Sequence, residues 1–313
     1  MPDWLIERGI GEVRTARVED GRIVEARILR DGVVTAGTVL AAKLVTAGRN
    51  AIAVAGGVEY LLPKGAAGVT QGAPLTIEVT REALGGGEPW KRPLARMSGE
   101  APRAAPPVAG LELPFPSPDD LLGKAGWSDL LDEARSGIIG FDGGELRVSP
   151  TPAMTLIDVD GTLAPVDLAL AGAAAAAIAI RRHGIGGSIG IDLPTCRGKA
   201  ARQAIAEVVD TILPAPFERT AVNGFGFLQI VRPRRCASTF ELAADRALFE
   251  ARALLRLAGQ EVGAIRLAAH PAVIAELDSR GEWIAKLARQ VGGAVSLRAD
   301  PALGMAAGYA ERP

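Results

Sequence analysis

The stretch TLIDVDGTLAP, Thr155 to Pro165, decides how the fold of this chain is interpreted. It begins as an apolar strand and ends in two carboxylates, Asp158 and Asp160. A predicted helix follows, and the next apolar stretch, GSIGIDLP, ends in Asp192. Because a strand–helix–strand crossover is right-handed, the two strands are parallel and their carboxyl ends share one edge of a sheet. The pattern therefore predicts that Asp158 and Asp192 lie close together at that edge, where open α/β sheets bind ligands.

Carboxylates gathered at one edge repel each other unless a cation lies between them. Mg²⁺ suits such a site because it prefers oxygen ligands and is held by one or two carboxylates plus substrate phosphates. Such an ion polarises a phosphate and lowers the pKa of a bound water. We therefore expect Asp158 and Asp192 to hold Mg²⁺, with Mn²⁺ as a substitute, for phosphodiester chemistry in which water is the nucleophile. The alternative from the residues alone is that these strand-end aspartates only cap the helices that follow.

From Asp158 onward the same stretch matches the pattern DxDGT, and in this it resembles the haloacid-dehalogenase-type phosphatases. That resemblance implies a phosphoryl-accepting Asp158, with Thr195 and Lys199 in the next two roles. A later strand would have to supply two carboxylates for magnesium, but it offers Asp300 and no second acid before Glu311. A five-letter match is a weak signal. The phosphatase is therefore kept as a second alternative.

Alternating strands, glycine punctuation and helical stretches divide the chain into five segments. They predict an α/β protein with a mixed-sheet core, an inserted small β-barrel of the oligonucleotide-binding class and a small C-terminal α/β piece. The first segment contains a hairpin that turns at Asp20-Gly21. The predicted segments are residues 1–34, N-terminal strands of the core; 35–91, the barrel; 92–136, a Pro/Gly-rich connector with a short helix; 137–238, the metal-dependent core; and 239–313, the C-terminal piece.

Three stretches, AMTLIDVDG, AAAAIAIRRHGIGGSIGIDLP and VNGFGFLQIVRPRR, together resemble the ribonuclease E/G family. In that family a strand ending Ile-Asp-x-Asn is followed by a helix, a Gly-Gly pair and a strand ending Val-Ile-Asp-Phe. The resemblance implies a nuclease core with magnesium on Asp158 and Asp192, in which Asp160 replaces the Asn that steers the water. It implies an endoribonuclease that hydrolyses single-stranded RNA and leaves 5′-phosphates.

The barrel segment, GTVLAAKLVTAGRNAIAVAGGVEYLLPKG, is similar to the S1 domain of the same family. The resemblance implies that Tyr60 stacks on RNA and that a second stacking aromatic is lost at Ala53. It also implies that Lys91 contacts a phosphate. Lys43 and Arg49 of the barrel could meet backbone phosphates, although surface charge on such a domain explains them equally well.

A basic strip follows the second aspartate strand, since FGFLQIVRPRR contains Arg232, Arg234 and Arg235 and no acid. Such a strip is suited to binding phosphates, and each contact would add salt dependence to the affinity. Phe225 and Phe227 alternate, so they share a face and could stack on bases. The alternatives from the residues alone are a solvated surface strand for the arginines and a place in the core for the aromatic rings.

Several features of the ribonuclease E/G family are missing from the sequence. Its 5′-sensor region has no counterpart, since residues 92–136 are too few and too rich in proline. The CPxC zinc link is also missing, so a zinc-linked tetramer is not expected and a homodimer remains open. Gly224 stands where the family has an arginine. A non-catalytic RNA-binding protein is therefore the main alternative to the enzyme.

The overall composition restricts the choice of partners. The chain has 313 residues, of which 48% are hydrophobic and 4% aromatic, and its net charge is −1. Nucleic-acid binding would therefore have to come from local clusters. The alanine-rich stretch 168–180 is too short to span a bilayer. Because the cysteines, Cys196 and Cys236, show no ligand spacing and are typical of a reducing compartment, we expect a cytoplasmic protein that does not bind membranes.

Overall fold

The computed structural model describes residues 4–86, 88–117 and 119–313. The described chain is mixed α/β and divides into two compact units. In those ranges, no helix combines the length and the apolar character that crossing a membrane requires. The first unit comprises Val33–Pro107 and Ser128–Glu241, and the second comprises Met1–Gly32, Val108–Trp127 and Leu242–Pro313.

The strands of the described residues, in chain order, are β1 (Leu5–Arg8), β2 (Glu12–Glu19), β3 (Arg22–Arg30), β4 (Val39–Thr46), β5 (Ala51–Ala55), β6 (Val58–Leu62), β7 (Pro74–Arg81), β8 (Leu94–Met97), β9 (Leu111–Leu113), β10 (Ile138–Phe141), β11 (Gly144–Pro150), β12 (Thr155–Gly161), β13 (Gly187–Asp192), β14 (Glu218–Arg219), β15 (Phe227–Arg232), β16 (Ile265–Ala269), β17 (Val295–Ala299) and β18 (Tyr309–Glu311). The helices are α1 (Leu121–Lys124), α2 (Trp127–Ser136), α3 (Pro165–Arg182), α4 (Lys199–Ile212), α5 (Thr239–Ala243), α6 (Arg246–Ala258), α7 (Pro271–Asp278) and α8 (Gly281–Val291).

The first unit contains a closed five-stranded barrel with the strand order β4-β5-β6-β8-β7. Its strands alternate because every second side chain enters the interior, where Leu44, Leu62, Ile77 and Val79 are buried. The predicted barrel is therefore confirmed. The barrel segment ends later in the chain than the predicted residue 91, because the barrel also includes β8.

The strand β8 lies within residues 92–136, which were predicted to be a connector, but it belongs to the barrel. Of its four residues, Ala95 is buried in the barrel, and the strand pairs with both β6 and β7 to close the barrel. The connector also contains β9 and two helices, α1 and α2, where one short helix was predicted. A strand this short is ordered by its pairing with neighbouring strands. Four residues between prolines and glycines show too little alternation of apolar and polar side chains to predict a strand from the sequence.

The first unit also contains a mixed six-stranded sheet with the order β10-β11-β12-β13-β15-β14. The two aspartate strands, β12 and β13, are parallel neighbours, and antiparallel strands flank them on both sides. The helix α3 connects β12 to β13, as the strand–helix–strand pattern predicts, and packs on one face of β12. The opposite face of β12 is exposed at alternate residues, and we call this side of the sheet the open face.

A glycine in α3 lets this helix approach β12 closely. A Cβ atom built on Gly172 would lie 2.3 Å from Cγ1 of Val159, and the Ala-rich face of α3 is buried around it, including Ala169, Ala173 and Ala176. Small residues thus hold the helix against the strand that carries Asp158. This packing fixes which face of β12 is buried and which is open.

The second unit contains a four-stranded sheet with the order β3-β2-β1-β9 and a three-stranded sheet with the order β17-β16-β18. The predicted hairpin is confirmed, with positive φ angles at both Asp20 (49°) and Gly21 (75°), as a tight hairpin turn between twisted strands requires. The prediction that residues 1–34 add strands to the core sheet is wrong. Ile10 instead packs in one hydrophobic core with C-terminal residues such as Leu254 and Trp283.

Candidate active site

One row of side chains crosses the open face and contains both predicted metal ligands. Asp158 of β12 is the register partner of Asp192 of β13. Beyond them, Asp158 faces Arg147 of β11 and Asp192 faces Phe227 of β15. We call these four residues the central row. Because neighbouring strands lie about 4.8 Å apart, the predicted convergence of Asp158 and Asp192 at one edge is confirmed.

Asp160 lies on the same face as Asp158, one pleat further along β12. The side chains alternate along this strand, so Ile157 and Val159 are buried while Asp158 and Asp160 are exposed. Two residues along a strand correspond to about 6.6 Å. The register partner of Asp160 on β11 is Glu145. A water molecule placed midway between the carboxylates of Asp158 and Asp160 would therefore be within hydrogen-bonding reach of Asp160.

The electrostatic environment disfavours the charged form of Asp158. Partial burial is the largest cause of its raised pKa, and the negative charges of Asp160 and Asp192 raise the pKa further. A hydrogen bond from the backbone of Val159 and the positive charge of Arg147 oppose this shift of the pKa. The three aspartates thus concentrate negative charge on the open face, and a cation at that position would relieve their repulsion.

The donor set restricts the kind of metal ion that fits. Within the described ranges, no group of three or more His, Cys, Asp or Glu side chains is arranged to hold a metal ion. Mg²⁺ keeps several waters and needs only one or two carboxylates. The pair Asp158 and Asp192 fits that requirement.

A hydrogen-bonded turn presents an aromatic ring beside the central row. Asn223 Oδ1 accepts hydrogen bonds from the backbone N–H groups of Phe225 (2.9 Å) and Phe227 (3.0 Å). Thr195 Oγ1 donates to the carbonyl oxygen of Phe225 at 3.1 Å, and the N–H of Leu193, the residue after Asp192, donates to Gly226 O at 3.2 Å.

The side chain of Phe225 is nevertheless 84% exposed. The turn thus holds an exposed ring next to the strand that carries Asp192, so the alternative that Phe225 belongs to the core is wrong.

The shape of this turn depends on Gly226, and this leads to a first prediction. Gly226 has a φ of +95°, and a Cβ atom there would lie 2.1 Å from the carbonyl oxygen of Leu193. We expect Gly226→Ala to lower the free energy of unfolding by about 1–3 kcal/mol, because both the backbone angle and the contact become strained. Gly224→Ala is the matched control, since a Cβ there meets nothing within 4 Å. Urea denaturation followed by circular dichroism measures both, and equal stabilities of the two variants would contradict the prediction.

The three arginines of the basic strip have different surroundings in the structure. Arg234 lies between Glu88, at 3.1 Å, and Glu241, and its side chain is only 17% exposed. A phosphate contact by Arg234 would therefore have to compete with these two carboxylates. Arg235 is exposed and Arg232 is half-buried at the end of β15. These two arginines remain candidates for phosphate contacts.

The burial of Tyr60 contradicts its predicted stacking role. Tyr60 is 1% exposed and belongs to the hydrophobic core of the barrel, where burial raises the pKa of its hydroxyl. A ring in that position cannot stack on RNA. Ala53, its register partner on β5, is also fully buried. The two positions that the resemblance assigns to stacking therefore point into the barrel.

The remaining basic residues of the barrel segment differ in their surroundings. Lys43 and Arg49 are exposed and available for phosphate contacts. Lys91 Nζ donates to the carbonyl oxygen of Pro152 at 3.2 Å and lies 2.5 Å from a carboxylate oxygen of Glu88. A phosphate contact by Lys91 would thus have to compete with these partners.

Two charged residues of the open face, Arg147 and Glu145, were missed by the sequence interpretation. Both lie on β11, and alternation in the stretch GELRVSP places them on one face. That signal was available in the sequence, but the pairing of β11 with β12 was needed to bring them beside Asp158 and Asp160. The open face thus combines an arginine side chain, a cluster of carboxylates and aromatic rings.

This combination can hold a divalent cation, bind a phosphate and stack on a base. No family model matches the chain, and no curated protein matches its sequence. The function is therefore inferred from the placement of the side chains and from their chemistry.

Proposed function

We propose that this chain is a magnesium-dependent endoribonuclease that hydrolyses single-stranded RNA, as its resemblance to the ribonuclease E/G family implies. The observation that carries the proposal is the direct register of Asp158 and Asp192 on the open face. Two exposed carboxylates on adjacent parallel strands form an open two-ligand site, which leaves room for water and for a substrate phosphate. The free thiols of Cys196 and Cys236 are compatible with a reducing cytoplasm.

In this proposal Asp158 and Asp192 bind Mg²⁺, and Mn²⁺ would fit the same oxygen ligands. When bound, the ion polarises a phosphate and lowers the pKa of a nearby water. The Asp160 carboxylate accepts a hydrogen bond from the attacking water and then takes its proton. The water oxygen forms a bond to phosphorus, the bond from phosphorus to the 3′-oxygen breaks, and that oxygen takes up a proton from solvent. The products are a 3′-hydroxyl and a 5′-phosphate.

The RNA would be held by charged and aromatic side chains of the same unit. Phe225 offers a face for a base beside the central row, and base–aromatic stacking is tolerant of sequence. Phosphate contacts would come from Arg232 at the end of β15, from Arg235 after it, and from Lys43 and Arg49 on the barrel. Because these contacts are electrostatic, the affinity should fall as the salt concentration rises.

A second prediction concerns this stacking role. We expect Phe225→Ala to weaken binding of a single-stranded oligonucleotide by about 5–150-fold, since one base–aromatic stack contributes about 1–3 kcal/mol. Phe225→Trp should retain the affinity, because it keeps an aromatic face. Val262→Ala removes another highly exposed apolar side chain, in the other unit, and serves as the surface control. Fluorescence anisotropy measures all three, and an unchanged affinity of Phe225→Ala would exclude the stacking role.

The proposal is tested by incubating the purified chain with an end-labelled, AU-rich single-stranded RNA at increasing Mg²⁺ concentrations. We expect internal cleavage that stops on addition of a chelator and leaves 5′-phosphates on the downstream products. A duplex of the same sequence should be cut more slowly. Binding without cleavage at any Mg²⁺ or Mn²⁺ concentration would instead identify a non-catalytic RNA-binding protein. Turnover of a small phosphate ester through a covalent aspartyl-phosphate would identify the phosphatase.

A further inference from the structure

Arg147 stands directly beside the proposed metal ligands and has no role in the mechanism described so far. It is the register partner of Asp158 across β11 and β12, and it lies on the open face. Its side chain is 57% exposed, and its NH2 atom lies 2.6 Å from Oε1 of Glu145. The guanidinium is therefore close to the carboxylates of the central row while it remains open to solvent.

The ion pair with Glu145 leaves Arg147 available for a role other than a structural one. The side chain of Glu145 is 37% exposed, and ion pairs open to solvent in this way add little to stability. Arg234 of the same unit shows the contrast, because its pairing with Glu88 and Glu241 is largely buried. An incoming phosphate could therefore replace the Glu145 carboxylate at Arg147 at small cost. The planar guanidinium also matches the two oxygens of a phosphate.

The order of residues along the central row suits one orientation of a bound RNA. Arg147 and Phe227 lie at its two ends, with Asp158 and Asp192 between them. Three strand spacings correspond to about 14 Å, which is long enough to accommodate a phosphate at one end and a base near Phe227 and Phe225 at the other. A phosphate held between Arg147 and the cation at Asp158 would be the one that reacts.

We propose that Arg147 is a catalytic residue that binds the reacting phosphate and stabilises the negative charge that develops on its non-bridging oxygens during hydrolysis. This inference rests on the proposed nuclease function and adds a contact that the family resemblance does not supply. The guanidinium donates hydrogen bonds to the oxygens and transfers no proton, because it stays charged throughout. Donors aimed at developing charge lower the barrier more than they strengthen ground-state binding.

The test compares Arg147→Gln with wild type in single-turnover cleavage of single-stranded RNA and in binding of a non-cleavable oligonucleotide. We expect kcat to fall by about 10²–10³-fold, the usual loss for one such donor, with a change in affinity of less than about tenfold. Sulfur in place of one non-bridging oxygen should slow the wild type, and Arg147→Gln should respond less to that substitution. Arg147→Lys should recover part of the rate but none of the two-point contact.

Two controls separate this role from the loss of an ion pair. Glu145→Gln breaks the same pair but keeps the guanidinium, so its loss of kcat should be much smaller than that of Arg147→Gln. Arg27→Gln removes another strand arginine that pairs at 2.6 Å with a glutamate two residues earlier, Glu25, in the other unit. Its cleavage rate should be unchanged.

Each outcome has a distinct meaning. If wild type cleaves RNA and Arg147→Gln cleaves it within threefold of that rate, the role of Arg147 is refuted while the nuclease function stands. Equal losses in Glu145→Gln and Arg147→Gln would reduce the role of Arg147 to a structural ion pair. If wild type does not cleave at all, the nuclease proposal fails and the inference about Arg147 falls with it.

Discussion

Asp158→Asn should abolish magnesium-dependent cleavage of single-stranded RNA, with kcat lower by about 10³-fold or more, while RNA affinity stays within a few-fold of wild type. The amide has nearly the same shape as the carboxylate but lacks the charge that holds the cation. A bound metal ion supplies several kilocalories per mole of charge stabilisation in the transition state, and about 4 kcal/mol corresponds to a thousandfold change in rate. Affinity should survive because the expected RNA contacts lie on other residues, such as Phe225 and Arg235.

The measurements are single-turnover cleavage, anisotropy binding of a non-cleavable oligonucleotide, and titration of the protein with Mn²⁺ or Tb³⁺. Asp192→Asn should lose the rate and the metal affinity to a similar degree, because the two carboxylates face each other on adjacent strands. Asp278→Asn changes an exposed aspartate of the other unit and is the matched control. Retention of kcat by both Asp158→Asn and Asp192→Asn would rule out the two-carboxylate site.

Tyr60→Ala should destabilise the chain by about 3–5 kcal/mol, the usual cost of removing a large aromatic side chain from a core. Tyr60 is 1% exposed and packs among the apolar side chains of the barrel, including Leu44, Leu62 and Ile77. Its removal leaves a cavity that the closed barrel cannot fill without distorting its strands. Urea denaturation should therefore show a clear shift of the barrel's unfolding transition to lower urea concentration.

Tyr60→Phe is the control for this experiment. It keeps the ring and its packing, so we expect a change of no more than about 1 kcal/mol, the typical net value of one hydrogen bond. The RNA affinity of Tyr60→Phe should equal that of wild type. If Tyr60→Ala instead unfolds at the wild-type urea concentration and loses affinity for RNA, the ring must be accessible to RNA in solution, and the stacking interpretation would be correct.

The fold could be predicted where a physical rule acts within a short stretch of chain. Alternation located the barrel strands, Asp20-Gly21 identified a hairpin, and right-handed crossover placed Asp158 and Asp192 at one edge. The strand β8 escaped because four residues among prolines carry little periodic signal, and it is ordered by its neighbours in the barrel.

The candidate site was predictable to a similar extent. The three aspartates were identified because carboxylates at the ends of apolar strands form a local pattern. Arg147 was missed because its importance comes from the pairing of β11 with β12. Arg234 was assigned to RNA because its partners, Glu88 and Glu241, are recognisable only once the chain is folded.

The sequence by itself determined that Asp158 and Asp160 share one face of a strand and that the strand ending in Asp192 runs parallel to it. Both follow from backbone stereochemistry, which acts on a few residues at a time. Only the tertiary structure decided that Tyr60 points into the barrel and that Arg147 stands next to Asp158. Burial and cross-strand pairing depend on the free energy of packing elements that are distant in sequence, so no local pattern specifies them.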